Sequence, residues 1–396
     1  MQTSPVGGPS SIDSTLRPLP QNRHSVEIKC PNPSPLPHLW CRRFAASAPP
    51  RRTSPAARLI MNPMTYDELE WSEDFLGPDF QAATLKLGAD PDGEGEVCAT
   101  LVRYCPDANA HDDRPALVWV HGMTDYFFHD HVARYFYELG YAFYALDLRK
   151  CGRSRRDGQT WHYISDMKYY EADLNAALDA LPNERVVIMG HSTAGTIIAL
   201  WLDHLRRQDR KRFNRISGVV FNSPWLAMMG MADKTYEVLK HVIYAGAAVA
   251  PRFEIPGGDL TAYGESIHST EQGDWDFDLS FKPLGGHPKY LGWIAAVFRG
   301  FDAIHSGRVD MGLPLLTMTS GRSELNQPYG ESSNTADVVV DVRQSQRWAK
   351  ELSARYTLHV VNNGRHDLFL SRTEPLQEAL SATAEWLRTV APLETD

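Results

Sequence analysis

The residues of this chain most suited to covalent chemistry lie in residues 190–195, the run GHSTAG. A serine hydroxyl becomes a useful nucleophile only when a base lies within hydrogen-bond reach and an acid orients that base. Residues 185–189 are mostly apolar and β-branched, and apolar residues recur at helical spacing after the run. The small residues Gly190 and Ala194 permit a tight turn, so the pattern predicts a nucleophile elbow, a strand and a helix with Ser192 between them. The alternative is an ordinary turn whose serine only caps the helix.

A histidine that could serve as the base follows a predicted strand near the end of the chain. The apolar run Tyr356–Val361 is typical of a strand, and His366 lies in the loop directly after it. Hydrolases with a nucleophile elbow present the serine, the acid and the histidine in that chain order. We therefore predict that His366 is the base, whereas His359 lies within the strand and is predicted to be structural.

Three carboxylates compete for the role of the acid that orients the histidine. Asp341 directly precedes a predicted helix over residues 342–352 and is typical of its N-cap. Glu324 lies in a loop rich in serine, asparagine and glycine, with no apolar residue beside it. Asp337 is followed by three valines that could hold a carboxylate rigidly. The pattern favours Asp337 and leaves Asp341 and Glu324 open.

The chemistry also needs N–H donors for the oxyanion that forms when a serine attacks a carbonyl. In this kind of fold one donor comes from the loop after an early strand and one from the residue after the nucleophile. The run His121-Gly122-Met123 ends such a strand. The backbone N–H groups of Met123 and Thr193 are therefore predicted to form the oxyanion hole, unless His-Gly only marks the end of the strand.

The elements that must position these residues alternate between strands and helices. Strands are predicted over residues 83–87, 96–104, 116–120, 142–146, 185–189, 218–221, 315–318 and 356–361. Helices are predicted over residues 130–139, 166–181, 342–352 and 374–390, and from residue 193 onward. This alternation predicts an α/β fold, with a mostly parallel sheet and helices on both of its faces.

The alternation is interrupted over residues 225–311, and this divides the chain. These residues include Met228, Met229 and Met231 and many aromatic residues. Helices are predicted near residues 236–248 and 290–301. We predict an inserted, mainly helical lid above the carboxyl edge of the sheet, with an extension of the core as the alternative. The resulting division is a tail over 1–60, hydrolase core over 61–224 and 312–396, and the lid over 225–311.

Residues 1–60 differ in composition from the rest of the chain. They hold 11 of the 26 prolines, eight of the 40 basic residues, and only Asp13 and Glu27 among the 49 acidic ones. No apolar period is visible, so the tail is predicted to be disordered. It is interpreted either as an organellar transit peptide or as the product of a misassigned start, the true start being Met61 or Met64.

Composition excludes several classes of function. The chain has a net charge of −9, and the part after residue 60 is more acidic still, which argues against binding to nucleic acid. No apolar run has transmembrane length, so stable membrane insertion is not expected. The five cysteines show neither metal-type nor disulfide-type spacing, which suits a reducing compartment and predicts a cytoplasmic protein. The alternating His129, Asp130 and His131 are not expected to converge on a metal.

Several motifs together resemble the serine aminopeptidase-like and monoacylglycerol-lipase-like α/β-hydrolases. They are HGMTDY from His121, DLRKCGRS from Asp147, GHSTAG from Gly190, an acid before VVVD, and GRHDLFLS from Gly364. The resemblance runs over residues 66–390 and implies a serine hydrolase without cofactor or metal, whose triad is Ser192, Asp337 and His366.

The sequence departs from this family pattern at three places. Ala194 replaces the more usual glycine of the elbow, and Lys150-Cys151 stand where small residues are common. Residues 322–336 are inserted between the glycine of the usual Gly-x-x-Asp pattern and its acid. The third departure separates the acid from the position at which the family pattern places it.

The sequence thus predicts hydrolysis of small acyl esters through an acyl-serine intermediate. Methionine and aromatic residues in the predicted lid favour an apolar acyl group, as in a lipase or lysophospholipase-like esterase. One alternative is an aminopeptidase, for which Glu254, Asp259 and Glu265 could bind the substrate amine. The other is a binding protein without catalysis, which would need neither Ser192 nor His366. The oligomeric state is left open.

Overall fold

The computed structural model describes residues 65–107, 114–230 and 233–393. The tail over residues 1–60, with both interpretations of it, lies outside these residues. No helix in the described ranges combines the length and the apolarity that crossing a bilayer would require.

The strands of the main sheet follow one another along the whole described chain. They are β1 (Ser72–Asp74), β2 (Gly77–Ala89), β3 (Glu96–Tyr104), β4 (Ala116–Val120), β5 (Ala142–Asp147), β6 (Val186–His191), β7 (Ile216–Asn222), β10 (Leu315–Ser320) and β11 (Tyr356–Val361). Two further strands, β8 (Glu254–Ile255) and β9 (Lys289–Tyr290), pair with each other in a separate antiparallel ribbon.

The helices lie between these strands. They are α1 (Asp130–Glu138), α2 (Tyr170–Ala180), α3 (Ala194–Gln208), α4 (Arg210–Phe213), α5 (Asp233–Val249), α6 (Thr261–Ile267), α7 (Leu291–His305), α8 (Val342–Glu351) and α9 (Thr373–Val390). Most bounds agree with the predicted ones within a few residues. The helix predicted from residue 166 instead begins with a 3-10 turn, which Asp166 caps through Lys168 N.

The sheet has the strand order β1-β2-β3-β5-β4-β6-β7-β10-β11. The pairs β1–β2, β2–β3 and β3–β5 are antiparallel, and all later pairs are parallel. The carboxyl ends of the parallel strands therefore meet at one edge, where ligands bind in open α/β sheets. The predicted α/β fold with a mostly parallel sheet is confirmed.

Helices cover both faces of the sheet, as predicted. Side chains along β6 alternate, so Val186 and Ile188 pack in one apolar cluster with residues of α2, α3 and α7. Val187 and Met189 pack in the opposite cluster, with residues of α1 and α9. Because both faces of the central strands are buried, these strands read as continuous apolar runs and not as alternating ones.

The inserted segment, residues 225–311, contains α5, the β8–β9 ribbon, α6 and α7. Phe301 and Ile304 of α7 are almost fully buried in the same apolar cluster as α3. Helix α5 packs on α7 and turns Val238 and Val242 outward, where more than half of each side chain is exposed. The end of the segment is therefore part of the core, and its beginning lies over α7.

Candidate active site

Strand β6 ends at His191 and α3 begins at Ala194, which leaves Ser192 at the turn with a φ of +52°. A Cβ on Gly190 would lie 2.4 Å from Ile198 Cδ1, so a larger residue there would have to displace the Ile198 side chain. A Cβ on Gly195 would lie 2.5 Å from Pro224 Cβ. The start of α3 therefore packs closely against the loop after β7.

His366 lies in the loop after β11, and its ring is hydrogen-bonded to Asp337. The distance from His366 Nδ1 to Asp337 Oδ2 is 2.9 Å, and both side chains are buried. The other carboxylate oxygen, Asp337 Oδ1, accepts hydrogen bonds of 2.8 Å from the amides of Val339 and Val340. The edge of the Tyr263 ring packs against the His366 ring, with 5.4 Å between the centroids. The amides of Val339 and Val340 thus fix the carboxylate, and Asp337 and Tyr263 together fix the imidazole.

The other two candidate acids have different partners. Asp341 Oδ1 accepts from Arg343 N at 3.0 Å and is the N-cap of α8, as predicted. Glu324 binds the Ser332 hydroxyl and the Arg322 guanidinium, and these contacts lower the pKa of its carboxyl group. Of the three candidates, Asp337 is the one that the structure brings to His366.

The inserted loop over residues 322–336 closes on itself at its base. Asp337 N donates to Arg322 O at 3.0 Å, and Glu324 N donates to Asp337 O at 2.8 Å. These two bonds hold Asp337 beside the residues that follow β10, even though the loop separates them in sequence. The insertion therefore lengthens the loop without moving the acid away from the strand end.

Ser192 and His366 both line one large cavity at the carboxyl edge of the sheet. The structure contains no hydrogen bond between the Ser192 hydroxyl and the His366 ring, both of which lie in the described residues. In hydrolases without substrate such contacts are often long and shorten when substrate binds. The two groups therefore share a site without yet having the geometry of proton transfer.

The loop after β4 brings backbone amides to the same place. A Cβ on Gly122 would lie 3.0 Å from Ser192 Cβ, which shows how closely this loop approaches the serine. Within the described chain, neither the Met123 amide nor the Thr193 amide donates to a protein acceptor. Both residues line the cavity. Their N–H groups are thus available to a ligand, as an oxyanion hole requires.

Backbone strain is concentrated around this site. Thr124 and Ser223 have φ values of +53° and +46°, in the same left-handed region as Ser192. A residue with a side chain in this region costs on the order of 1–3 kcal/mol, and β-branched residues such as threonine adopt it rarely. Surrounding contacts must therefore hold the three turns in place.

A buried polar network beneath His366 was not anticipated from the sequence. Asp367 accepts hydrogen bonds from His129 Nε2 at 2.8 Å and from Asn222 Nδ2 at 2.7 Å. Burial alone would raise the pKa of Asp367, but the neighbouring His191 and His129 outweigh it and hold the pKa far below its usual range. The only sequence signal was the adjacency of Asp367 to His366. The network fixes the loop that carries the histidine.

His129, Asp130 and His131 point to separate partners. His131 Nε2 donates to Phe369 O at 2.8 Å, and Asp130 contacts Arg134. Burial lowers the pKa of His131 to about 4, which keeps the ring neutral. No cluster of three metal-type ligands occurs in the described ranges.

Lys150, one of the departures from the family pattern, is fully buried and paired with two acids. Its Nζ lies 2.6 Å from Asp90 Oδ2 and 2.8 Å from Glu94 Oε2, at the tip of the β2–β3 hairpin. The adjacent Cys151 is also buried, and burial raises the pKa of its thiol well above the usual value. The altered turn thus joins the hairpin to the loop after β5.

The cavity has a volume of about 910 Å³, and its lining comes largely from the inserted segment, with a further part from residues 325–329 of the loop before Asp337. Apolar side chains of that segment line much of it: Met228, Met229, Leu239, Ile243, Leu284, Trp293, Ile294 and Phe298. A cavity of this size and apolarity is typical of a site for a small organic molecule.

Two polar contacts join the inserted segment to the loop that carries Met123. Lys282 Nζ lies 2.7 Å from Asp125 Oδ1, and both side chains are buried. Burial opposes the charged form of Asp125, yet Lys282 outweighs it and lowers the pKa of the carboxyl group. The amide of His287 donates to Thr124 Oγ1 at 2.8 Å.

The acidic residues that an aminopeptidase could use are divided between the cavity and the surface. Asp259 and Glu265 line the cavity. Glu254 is exposed on β8 and does not line it. Lys289, which no sequence pattern singled out, lines the same cavity.

Comparison with known proteins gives one family and a common fold. The sequence profile of the family described as "Serine aminopeptidase, S33" matches residues 111–373. No curated protein matches the sequence. A soluble variant of monoglyceride lipase from Saccharomyces cerevisiae is similar in structure, with a TM-score of 0.53 and 16% identity over 81% of this chain and 95% of that one.

Two further solved structures are similar at comparable levels. DcsB gives a TM-score of 0.50 and 18% identity over 78% of this chain and 99% of its own. The monoacylglycerol lipase of Paleococcus ferrophilus gives 0.49 and 19% over 70% and 96%. At such identities, the yeast enzyme and DcsB show a shared α/β-hydrolase fold and carry no information about substrate.

Proposed function

This chain belongs to the serine aminopeptidase S33 family of α/β-hydrolases, and on that premise we propose that it is a serine hydrolase that cleaves carboxylic esters. The observation that carries the proposal is the 2.9 Å contact of His366 with Asp337, beside a serine held at a φ of +52° in one large cavity. A serine that only capped a helix would need neither the pair nor the strained turn.

In the proposed reaction, Ser192 Oγ attacks the ester carbonyl carbon while His366 Nε2 accepts the hydroxyl proton. The Nδ1–H group of the imidazolium donates to Asp337, which stabilises the charge and fixes the tautomer. The N–H groups of Met123 and Thr193 donate to the oxyanion. The alcohol then leaves with the proton from His366, and a water molecule releases the acid by the same steps.

The apolar walls of the cavity support an acyl group with several methylenes as substrate, with the inserted segment acting as the lid. Each methylene that is fully buried contributes about 0.8 kcal/mol to binding. We expect kcat/KM to rise from acetyl to medium-length acyl esters. A flat profile across such a panel would contradict this choice of substrate.

An aminopeptidase remains the second candidate, because Asp259 and Glu265 line the cavity and could bind an amine. The two functions are separated by comparing an aminoacyl amide with an acyl ester of equal size. Preference for the amide, lost on replacing Glu265 with glutamine, would move the assignment to the peptidase.

A fluorophosphonate probe tests whether the chain is a catalyst at all. The probe reacts with an activated serine, so the wild-type chain should be labelled and the Ser192→Ala chain should not. Absence of labelling in the wild type would favour a binding protein on this fold. Labelling that persists in Ser192→Ala would overturn the assignment of the nucleophile.

A further inference from the structure

Lys289 is a buried cation in the substrate cavity. Its side chain is 8% exposed, and it forms neither a hydrogen bond nor an ion pair with any residue that the structure describes. Lysine is almost never buried without a partner, because removing an ammonium group from water is costly. The other buried lysines, Lys150 and Lys282, both have carboxylate partners.

The backbone around Lys289 leaves room beside its amino group. A Cβ on Gly286 would lie 3.4 Å from Lys289 Nζ, and a Cβ on Gly258 would lie 3.9 Å from it. Both glycines have positive φ values, +76° and +66°, so side chains are disfavoured there on conformational grounds as well. The two glycines form a cradle that a larger residue would fill.

The position of Lys289 is fixed by the elements on either side of it. It pairs with Ile255 in the β8–β9 ribbon, and a single residue, Tyr290, separates it from the start of α7. The Cβ position on Gly286 is also 3.1 Å from the Thr124 methyl group, so the amino group lies near the loop that carries Met123. The residue as a whole is 8% exposed, but its Nζ keeps accessible surface, so the amino group opens to the cavity that Lys289 lines.

We infer that Lys289 binds a carboxylate of the substrate, so that the natural esters carry a negative charge a few carbons from the ester bond. A single amino group suits a monoanion, whereas Asp259 and Glu265 on the same cavity disfavour a dianion such as phosphate. Burial lowers the pKa of Lys289 and the charge of Asp259 opposes that effect, but Asp259 forms no ion pair with Lys289, and its Oδ1 accepts from the amide and the hydroxyl of Thr261. This inference rests on the proposed ester hydrolysis at Ser192.

Two esters of equal shape test the charge preference. The 4-nitrophenyl monoester of glutaric acid ends in a carboxylate. The 4-nitrophenyl ester of 5-methylhexanoic acid has the same chain but ends in an uncharged isopropyl group. The readout is the ratio of kcat/KM for the charged ester to that for the neutral one. Lys289→Met should lower this ratio about 10- to 100-fold, since it removes a charge-assisted contact, and Lys289→Arg should keep most of it. The exposed Lys350→Met is the matched control and should leave the ratio unchanged.

A binding measurement separates this proposal from the proposed function. Glutaramate, the monoamide of glutaric acid and a monoanion, should raise the melting temperature of the full chain, whereas uncharged glutaramide should not. The shift should disappear in Lys289→Met and Lys289→Gln. If glutaramate stabilises the chain but no ester is turned over, the carboxylate site stands and ester hydrolysis fails. If neutral esters are hydrolysed through Ser192 but Lys289→Met changes neither the kcat/KM ratio nor the melting-temperature shift, the carboxylate site is wrong.

Discussion

The floor of the cavity, formed by Ser192, His366 and Asp337, is built differently from the inserted segment above it. Each floor residue follows a strand end of the central sheet, and backbone contacts fix it, such as the amides that bind Asp337 Oδ1. The inserted segment is held mainly by apolar packing of α5 on α7 and by side-chain contacts such as Lys282 with Asp125. The floor is therefore constrained by the fold. The segment above can change its lining and alter substrate choice with little effect on the reacting groups, except at Tyr263, which packs against the His366 ring.

The largest effect is expected from the floor. Ser192→Ala should lower kcat/KM for ester hydrolysis by about 10⁴-fold or more, and His366→Ala by a comparable factor, because the two groups act as a unit. Ester turnover and melting temperature are measured together. Ser306→Ala, at the exposed end of α7, is the control and should retain full activity. If Ser192→Ala retained a tenth of the wild-type activity, the reacting groups would not lie in the floor of the cavity.

The next effect distinguishes the acids. Asp337→Asn should lose about 10⁴-fold in kcat, because the histidine is left in the wrong tautomer. Asp341→Ala should keep its kcat and lose about 1 kcal/mol of unfolding free energy with the cap of α8. Steady-state kinetics and urea unfolding measure the two quantities. Should Glu324→Gln lose activity while Asp337→Asn keeps it, the acid has been placed wrongly.

Breaking the contact between the two regions should affect stability more than chemistry. Lys282→Met leaves Asp125 buried without its partner, and such a change costs about 3–5 kcal/mol of unfolding free energy. The double variant Lys282→Met/Asp125→Asn should recover most of this loss, because no uncompensated charge remains. Chemical denaturation of the single and the double variant measures the difference. Equal losses in both would show that the pair contributes through packing alone.

Acid should weaken the chain through buried neutral histidines. Burial is the main cause that lowers the pKa of His131, His191 and His287 to about 4 and that of His162 to about 3. Unfolded histidines take up protons near pH 6.5, so the unfolded state binds more protons and stability falls from about pH 6.5 toward pH 4. Each histidine contributes a loss on the order of 1–3 kcal/mol.

Three of these four histidines lie outside the inserted segment, so the acid sensitivity should belong mainly to the core. His131→Gln, which can still donate to Phe369 O, should make the fall in unfolding free energy with pH shallower. Urea unfolding at several pH values gives the slope. A slope unchanged by His131→Gln would show that this ring titrates normally.

The smallest effect is expected from residues 1–60, which belong to neither region. Their composition predicts no contribution to the core or to catalysis. A chain that starts at Met61 should match the full chain in melting temperature and in kcat/KM. A melting temperature several degrees lower would show that the tail packs on the rest of the protein.

The same contrast explains what the sequence could predict. Ser192 and His366 carry local signals, since each lies just past a strand that its own residues define. The fold followed from the alternation of such strands with helices. Asp337 was harder to predict, because a long loop separates it from β10 in sequence. Hydrogen bonds of its N–H and C=O groups with Arg322 and Glu324 close that loop at its base and bring Asp337 back beside the strand end.

The buried lysines of the inserted segment carried no local sequence signal. Lys282 and Lys289 stand in a stretch rich in glycine and proline, which reads as an exposed loop. Part of what surrounds them comes from residues 124–128, between β4 and α1, which lie far away in sequence. Propensity and periodicity describe neighbours along a chain, so they could not reveal contacts of this kind. Asp367 was missed for the same reason, because its partners lie at the start of α1 and at the end of β7, both distant in sequence.

The left-handed turns around the site have an evolutionary consequence. Glycine would relax each of the positions held by Thr124, Ser192 and Ser223, at a gain on the order of 1 kcal/mol apiece. At Ser192, that gain in stability would coincide with complete loss of the proposed nucleophile. A lineage released from the need for this reaction would therefore drift toward glycine at this position and become more heat-resistant as it lost activity. If Ser192 is the proposed nucleophile, the strain at this turn is the stability that the chain gives up to keep its hydroxyl.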